Sequence, residues 1–249
     1  MAIALVGSVG TFLATVSNPD TVVLPSTPSA DDLIVVACVT DGTSPTLSIS
    51  GYTQAGTNVA EVVAAPDTNL AVFYKKAAGG EGNPSVTFGS TNGNFALAML
   101  LSGVDTTTAL DVAVVPSTLG VANANFTPTG LVTTTDNSWV LSFVANQQDK
   151  GCALSGTTQG FSTDSSHGAG GASYVSITGS DGSMGVASKI VTSAGAVTMP
   201  TWQTINGTDT GLWAGLSIAL RDAAVVGQPT FRRFSNIPFA ALGNNPFRR

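Results

Sequence analysis

The sequence predicts an all-β protein: a two-sheet antiparallel β-sandwich of jelly-roll type, built from two weakly similar halves and followed by an extended C-terminal arm. Three observations carry that expectation. Only 10% of the 249 residues are charged, against about 25% in an ordinary soluble domain. The mean hydropathy of +0.30 is carried by Ala, Gly and Val spread from end to end. Short apolar runs alternate with turns, no segment holds a helical period across three turns, and the first half of the chain is echoed in the second.

In order, the predicted strands of the first half are Ile3–Val6, Phe12–Val16, Thr21–Leu24, Leu33–Thr40, Thr46–Ile49, Leu70–Lys75, Ser85–Phe88 and Phe95–Leu101. Those of the second half are Ala109–Val115, Gly130–Thr134, Trp139–Ala145, Tyr174–Thr178, Gly185–Val191, Val197–Trp202 and Leu212–Leu220. Between them stand "TDGTSP", "KAAGGEGNP", "STNGN", "TGSDGS" and "INGTDTG", whose Gly, Asn, Asp and Pro are turn formers. Runs such as "LIVVACV" are apolar at every position, which suits a strand covered on both faces.

The echo aligns "DDLIVVACVTDG" and the later "SGYTQAG" with "NSWVLSFVANQQ" and "QGFSTDS". Leu33 then falls on Trp139, and Gly51-Tyr52 on Gly160-Phe161. "LAVFYKKAAGG" matches "MGVASKIVTSAG", with Lys75 on Lys189, and "NFALAMLLSGVD" matches "GLWAGLSIALRD", each strand ending near an Asp. The expected organisation is a body over residues 1–222, with a pseudo-repeat at about 30–105 and 136–222, and an arm over 223–249. No Pro/Ser-rich linker divides the halves, so one shared sandwich is preferred over two small ones.

The order of an Asp-Leu apolar run, a Gly-Tyr-Thr turn, "FYKKAAGGEGNPSVTFGS" and a strand ending in "SGVD" resembles β-sandwich virion and tail-associated structural proteins of tailed bacteriophages and prophages. The similarity covers roughly residues 30–222. It implies a particle component with no known chemistry, and residues 223–249 fall outside it.

Little in the sequence suggests catalysis. His167 is the single histidine, in "STDSSHGAGGASY", and its Ser165, Ser166 and Asp164 neighbours share its stretch, whereas a triad is assembled from separate elements. The two glutamates, Glu61 and Glu81, read as a strand edge and a hairpin turn, not as the paired carboxylates of a glycosidase. Turns around Asp41, Asp181 and Asp209 offer one carboxylate each, too few for calcium. The sequons at Asn125 and Asn206 say nothing without a secretion route. Cys38 and Cys152 sit in unlike contexts and are expected to be free thiols, and no Cys/His cluster predicts zinc. No catalytic, cofactor or metal-binding residue is therefore assigned. Trp139 and Trp213 read as core, while Tyr52, Phe161, Tyr174 and Trp202 are the candidates for stacking on sugar rings.

Charge is divided along the chain. Residues 1–222 hold all fifteen acidic and five of the nine basic residues, a net −10, and residues 223–249 carry a net +4. That second segment combines Phe231, Phe234, Phe239 and Phe247 with Arg232, Arg233, Arg248 and Arg249, broken by Pro229, Pro238 and Pro246. "PTFRR" and "NPFRR" look like two copies of one element. Phe and Arg are enriched at interface hot spots, so these eight residues are the expected partner-binding set.

The expected function is a non-enzymatic structural protein of a phage particle, a head decoration or cement protein held by its arm. The expected partners are the major capsid protein or copies of itself, in a homo-oligomer for which a trimer is one candidate. The alternative is a tail- or fibre-associated module that binds host glycans. Four arginines interleaved with Phe and Pro are meagre for phosphate neutralisation, so nucleic acid is not expected. No apolar run approaches the roughly 18 residues of a membrane span. The opening "MAIALVGSVGTFLATVS" has no basic residue before its apolar stretch and does not read as a signal peptide. The expected location is the virion, after synthesis in the host cytoplasm.

Overall fold

The run Leu33–Val39 shows how the body is assembled. Leu33, Val35, Ala37 and Val39 enter one buried cluster, while Ile34, Val36 and Cys38 enter another. Successive strand residues point to opposite faces, so a strand apolar at every position must be covered on both. The computed structural model describes residues 2–7, 13–42, 45–60, 68–146, 151–155, 158–162, 174–175, 182–205 and 211–223.

The first half contains β1 (Ala4–Leu5), β2 (Leu13–Thr15), β3 (Asp20–Thr21), β4 (Leu33–Asp41), β5 (Ser48–Ile49), β6 (Thr53–Gln54), β7 (Val59–Ala60), β8 (Thr68–Lys76), β9 (Ser85–Thr87) and β10 (Asn92–Ser102). The second contains β11 (Val115–Asn123), β12 (Asn125–Phe126), β13 (Leu131–Val132), β14 (Ser138–Asn146), β15 (Cys152–Leu154), β16 (Tyr174–Val175), β17 (Ser183–Val191), β18 (Ala196–Val197), β19 (Trp202–Thr204) and β20 (Gly211–Leu220). Every regular element among the described residues is a strand, and every pairing is antiparallel.

The two halves repeat one plan. The first large sheet runs β1-β10-β4-β8-β6, with β2 also on β10 and β7 also on β8; the second runs β11-β20-β14-β17-β16. Each half adds a small sheet, β3-β9-β5 in the first and β12-β19-β15 in the second, and β13 pairs with β18 besides. Leu33 pairs with Lys76 and Leu101, and its counterpart Trp139 with Ile190 and Leu220. The end-to-end match of "NFALAMLLSGVD" with "GLWAGLSIALRD" is thus two residues out of step. A slip of two keeps every side chain on its face, which is why the echo was legible despite it.

The large sheets face one another across the main core, where Val35, Leu97 and Met99 of the first half meet Leu141, Phe143 and Leu216 of the second. Each outer face is then covered by that half's small sheet, through Val86 and Phe88 in the first and Phe126 and Trp202 in the second. The all-β sandwich expectation is realised with more layers than a single pair of sheets.

Two expected strands are displaced. Val197–Trp202 spans the gap between β18 and β19 and meets each only at its end, and Ala109–Val115 makes an isolated bridge, Leu110 to Leu220, while the regular strand β11 begins at Val115, six residues beyond the expected start. Pro116 within "VPSTLGVAN" hid it, since Pro argues against a central strand. β11 pairs on one side with β20, an edge position that tolerates Pro.

Candidate functional site

The sequence-derived residues scatter across this frame. Phe231, Arg232, Arg233, Phe234, Phe239, Phe247, Arg248 and Arg249 lie outside the described residues, as do His167, Glu61, Asp181 and Asp209. Tyr174 begins β16, and its side chain is likewise outside them. Trp202 is 1% exposed, and its indole Nε1 donates to Ser142 Oγ at 3.1 Å, so its ring is not presented to a sugar. Trp139 is core, and Trp213 is too, stacked on Phe126 with centroids 5.8 Å apart.

Tyr52 and Phe161 form matched corners. Each follows a glycine at φ 77° and donates its N–H back across the turn, to Ile49 and Thr158. Glycine, with no Cβ, enters that left-handed region at no steric cost. Over each ring sits the echoed lysine, Lys75 Nζ at 5.8 Å and Lys189 Nζ at 5.9 Å from the centroid. Lys75 also pairs with Glu81 at 3.6 Å, whereas Lys189 donates to Gln159 O at 2.7 Å. Burial, with help from Glu81, pushes the Tyr52 phenol up to about 12. Phe161 is buried and Tyr52 half-buried, so these rings serve as packing corners.

Both cysteines are free and buried, as the sequence suggested, and desolvation raises both thiols, Cys152 to about 12. Glu81 caps its turn by accepting the Ala78 and Gly79 N–H groups, which hold its carboxyl low. Among the described residues no group of three His, Cys, Asp or Glu is placed to hold a metal.

Chemistry gathers instead where the halves join. The two Asp-tipped strand ends meet there: Asp105 N–H donates to Arg221 O at 2.9 Å, and Val104 bridges Asp222. Asp111, on the crossing between the halves, has a fully buried side chain. Its carboxylate accepts from Thr134 N at 2.6 Å and from the hydroxyls of Thr134 and Thr135 at 2.8 Å, and Arg221 Nε lies 3.5 Å away. Burial pushes this carboxyl up, but the hydrogen bonds from Thr134 and Thr135 outweigh it, and the net shift is downward.

Two clefts flank this joint and share Asp105. One, of about 260 Å³, has Leu33, Tyr74, Val104 and Leu110 in its wall and Asp31, Lys76 and Asp105 at its edge. The other, of about 370 Å³, is lined by Asp105, Asp136, Asn137, Arg221, Asp222 and Ala223. Sequence reasoning had marked Asp105 and Asp222 only as strand-end residues; nothing local placed them together or pointed to Asp111. Apolar walls with a carboxylate rim fit an apolar, cationic peptide. Comparison with protein-family models, curated proteins and solved structures finds no match to this chain.

Proposed function

We propose that this protein is a non-enzymatic structural component of a bacteriophage particle, a head decoration or cement protein fastened to the major capsid protein or to copies of itself by residues 223–249. The observation that supports the reading is the charge division, a body of −10 against a Phe- and Arg-rich segment of +4. A sparsely charged body suits a protein that shares its surface with neighbours, and Phe with Arg suits the anchor. The resemblance of residues 30–222 to phage β-sandwich proteins points the same way. The glycan-binding alternative draws on exposed aromatics, and with Phe161 and Trp202 buried it keeps little support.

The test is the copy number of this chain in purified particles, by quantitative mass spectrometry against the major capsid protein, for the full chain and for a chain ending at Ala223. Hundreds of copies, lost on truncation, are expected. A handful of copies would move the protein to the tail, and absence would end the particle reading. Full occupancy by the truncated chain would overturn the role of the arm.

A further inference from the structure

The main core is closed over most of its extent, yet Tyr74, Ala109 and Leu110 pack against it only partly buried. All three line the 260 Å³ cleft beside Asp31 and Asp105. The cleft is smaller than the roughly 300–1,000 Å³ of small-molecule sites, a size for one or two side chains.

The chain's own continuation starts at this spot. Ala223 lines the neighbouring cleft, and its N–H donates to Gly103 O at 2.8 Å, one residue from Val104 in the wall of the first. From Ala223 to Phe231 are eight residues, which span at most about 29 Å. The first Phe-Arg-Arg element is thus tethered within reach of an apolar cleft, and such a tether gives an effective concentration of roughly millimolar.

The charges are complementary. Asp31, Asp105, Asp136 and Asp222 stand around the two clefts against Lys76 and Arg221. Lys76 and Asp31 pair with each other at 2.8 Å and Arg221 lies by Asp111, so among the described residues Asp105 is the carboxylate of the first cleft left outside an ion pair. Asp105 accepts the N–H groups of Thr107 and Thr108, which hold its carboxyl low and therefore ionised.

We propose that this cleft is the seat of the chain's own Pro229–Phe234 element, with Phe231 against Leu33, Tyr74 and Leu110 and with Arg232 and Arg233 at the rim that Asp105 and the Asp31–Lys76 pair form. The proximal element then anchors the arm to its own body and directs the distal Phe247-Arg248-Arg249 outward to a neighbour. The inference rests on reading residues 223–249 as a docking arm, but not on the particle.

The experiment is disulfide formation in the isolated full chain at sub-micromolar concentration, read by mass spectrometry. Thr230→Cys is paired with Thr107→Cys, an exposed position beside Asp105, and in a second protein with Val132→Cys. Val132 is 61% exposed and lies two residues from Thr134, which is bonded to Asp111, outside the cleft. Both native thiols are buried and do not compete. The bridge to position 107 is expected to close about tenfold or more faster than that to 132, and adding Phe231→Ala with Arg232→Ala should bring it down to the control rate. Equal rates at the two positions would overturn the proposal. So would a bridge that forms between two chains instead of within one. The particle count stands or falls separately from either result.

Discussion

The two halves share a plan but solve the covering of their large sheets differently. With Leu33 aligned on Trp139 and pairings carried across, Val36 corresponds to Ser142, Ala71 to Gly185, Ala96 to Gly215 and Ala98 to Ser217. At each of these outer-face positions the second half is smaller or more polar. The reason lies in the layer above. In the first half aliphatic residues and Phe88 cover the sheet, whereas in the second Trp202 and Phe126 press onto it. A Cβ at Gly185 would come 2.5 Å from the Trp202 ring, and one at Gly215 would come 2.8 Å from Phe126. Two copies of one layout have thus been repacked around rings of different size, which close packing requires.

Removing the large ring is the strongest way to break this contrast. Trp202→Ala should cost about 3–5 kcal/mol, since it leaves a cavity over glycine and serine that no neighbour can fill. Urea unfolding measures it, and a cost below about 1 kcal/mol would mean that the ring is not core.

The joint between the halves comes next. Asp111→Ala should cost about 3 kcal/mol at neutral pH, because a buried carboxylate that accepts from Thr134 N and from the Thr134 and Thr135 hydroxyls beside Arg221 is lost. Its folded pKa is depressed, so its contribution is present above the unfolded value of about 3.9 and is lost as pH falls through the folded one. The parent should therefore lose stability steeply below about pH 4, while the variant should show a shallower acid slope in a pH series of thermal unfolding. Identical slopes would remove Asp111 from the acid response.

The reciprocal exchange has the smallest effect and the sharpest meaning. Gly185→Ala should cost about 1–3 kcal/mol by overpacking against Trp202, and Ala71→Gly at the matching site about 0.5–1 kcal/mol through backbone entropy. Equal costs, read from urea midpoints, would mean that the two outer faces are not packed differently.

These expectations also mark how far the sequence could be read. Six of the seven strands of nine or more residues were visible because each is built around an apolar run, and the Lys75/Lys189 and Gly51/Gly160 echoes fall on matched positions. β11 was misplaced because Pro116 and Gly120 break its pattern, and a pairing with β20 makes it a strand all the same. β6, β7 and β15 are two- or three-residue pieces, whose existence depends on a distant partner. Asp111 gave no signal, being one acid among fifteen until the fold closes Thr134, Thr135 and Arg221 around it.

By itself, then, the sequence determined the all-β class, the covering of strands such as Leu33–Asp41 on both faces, the doubled plan and the charge division, because alternation, turn chemistry and net charge are properties of the chain at short range. The tertiary structure alone decided which face of each strand meets the other half, why glycine stands beneath Trp202, and that Asp105 and Asp222 share a cleft. Those are matters of which surfaces come together across some hundred residues, and close packing settles them only once both partners are in place.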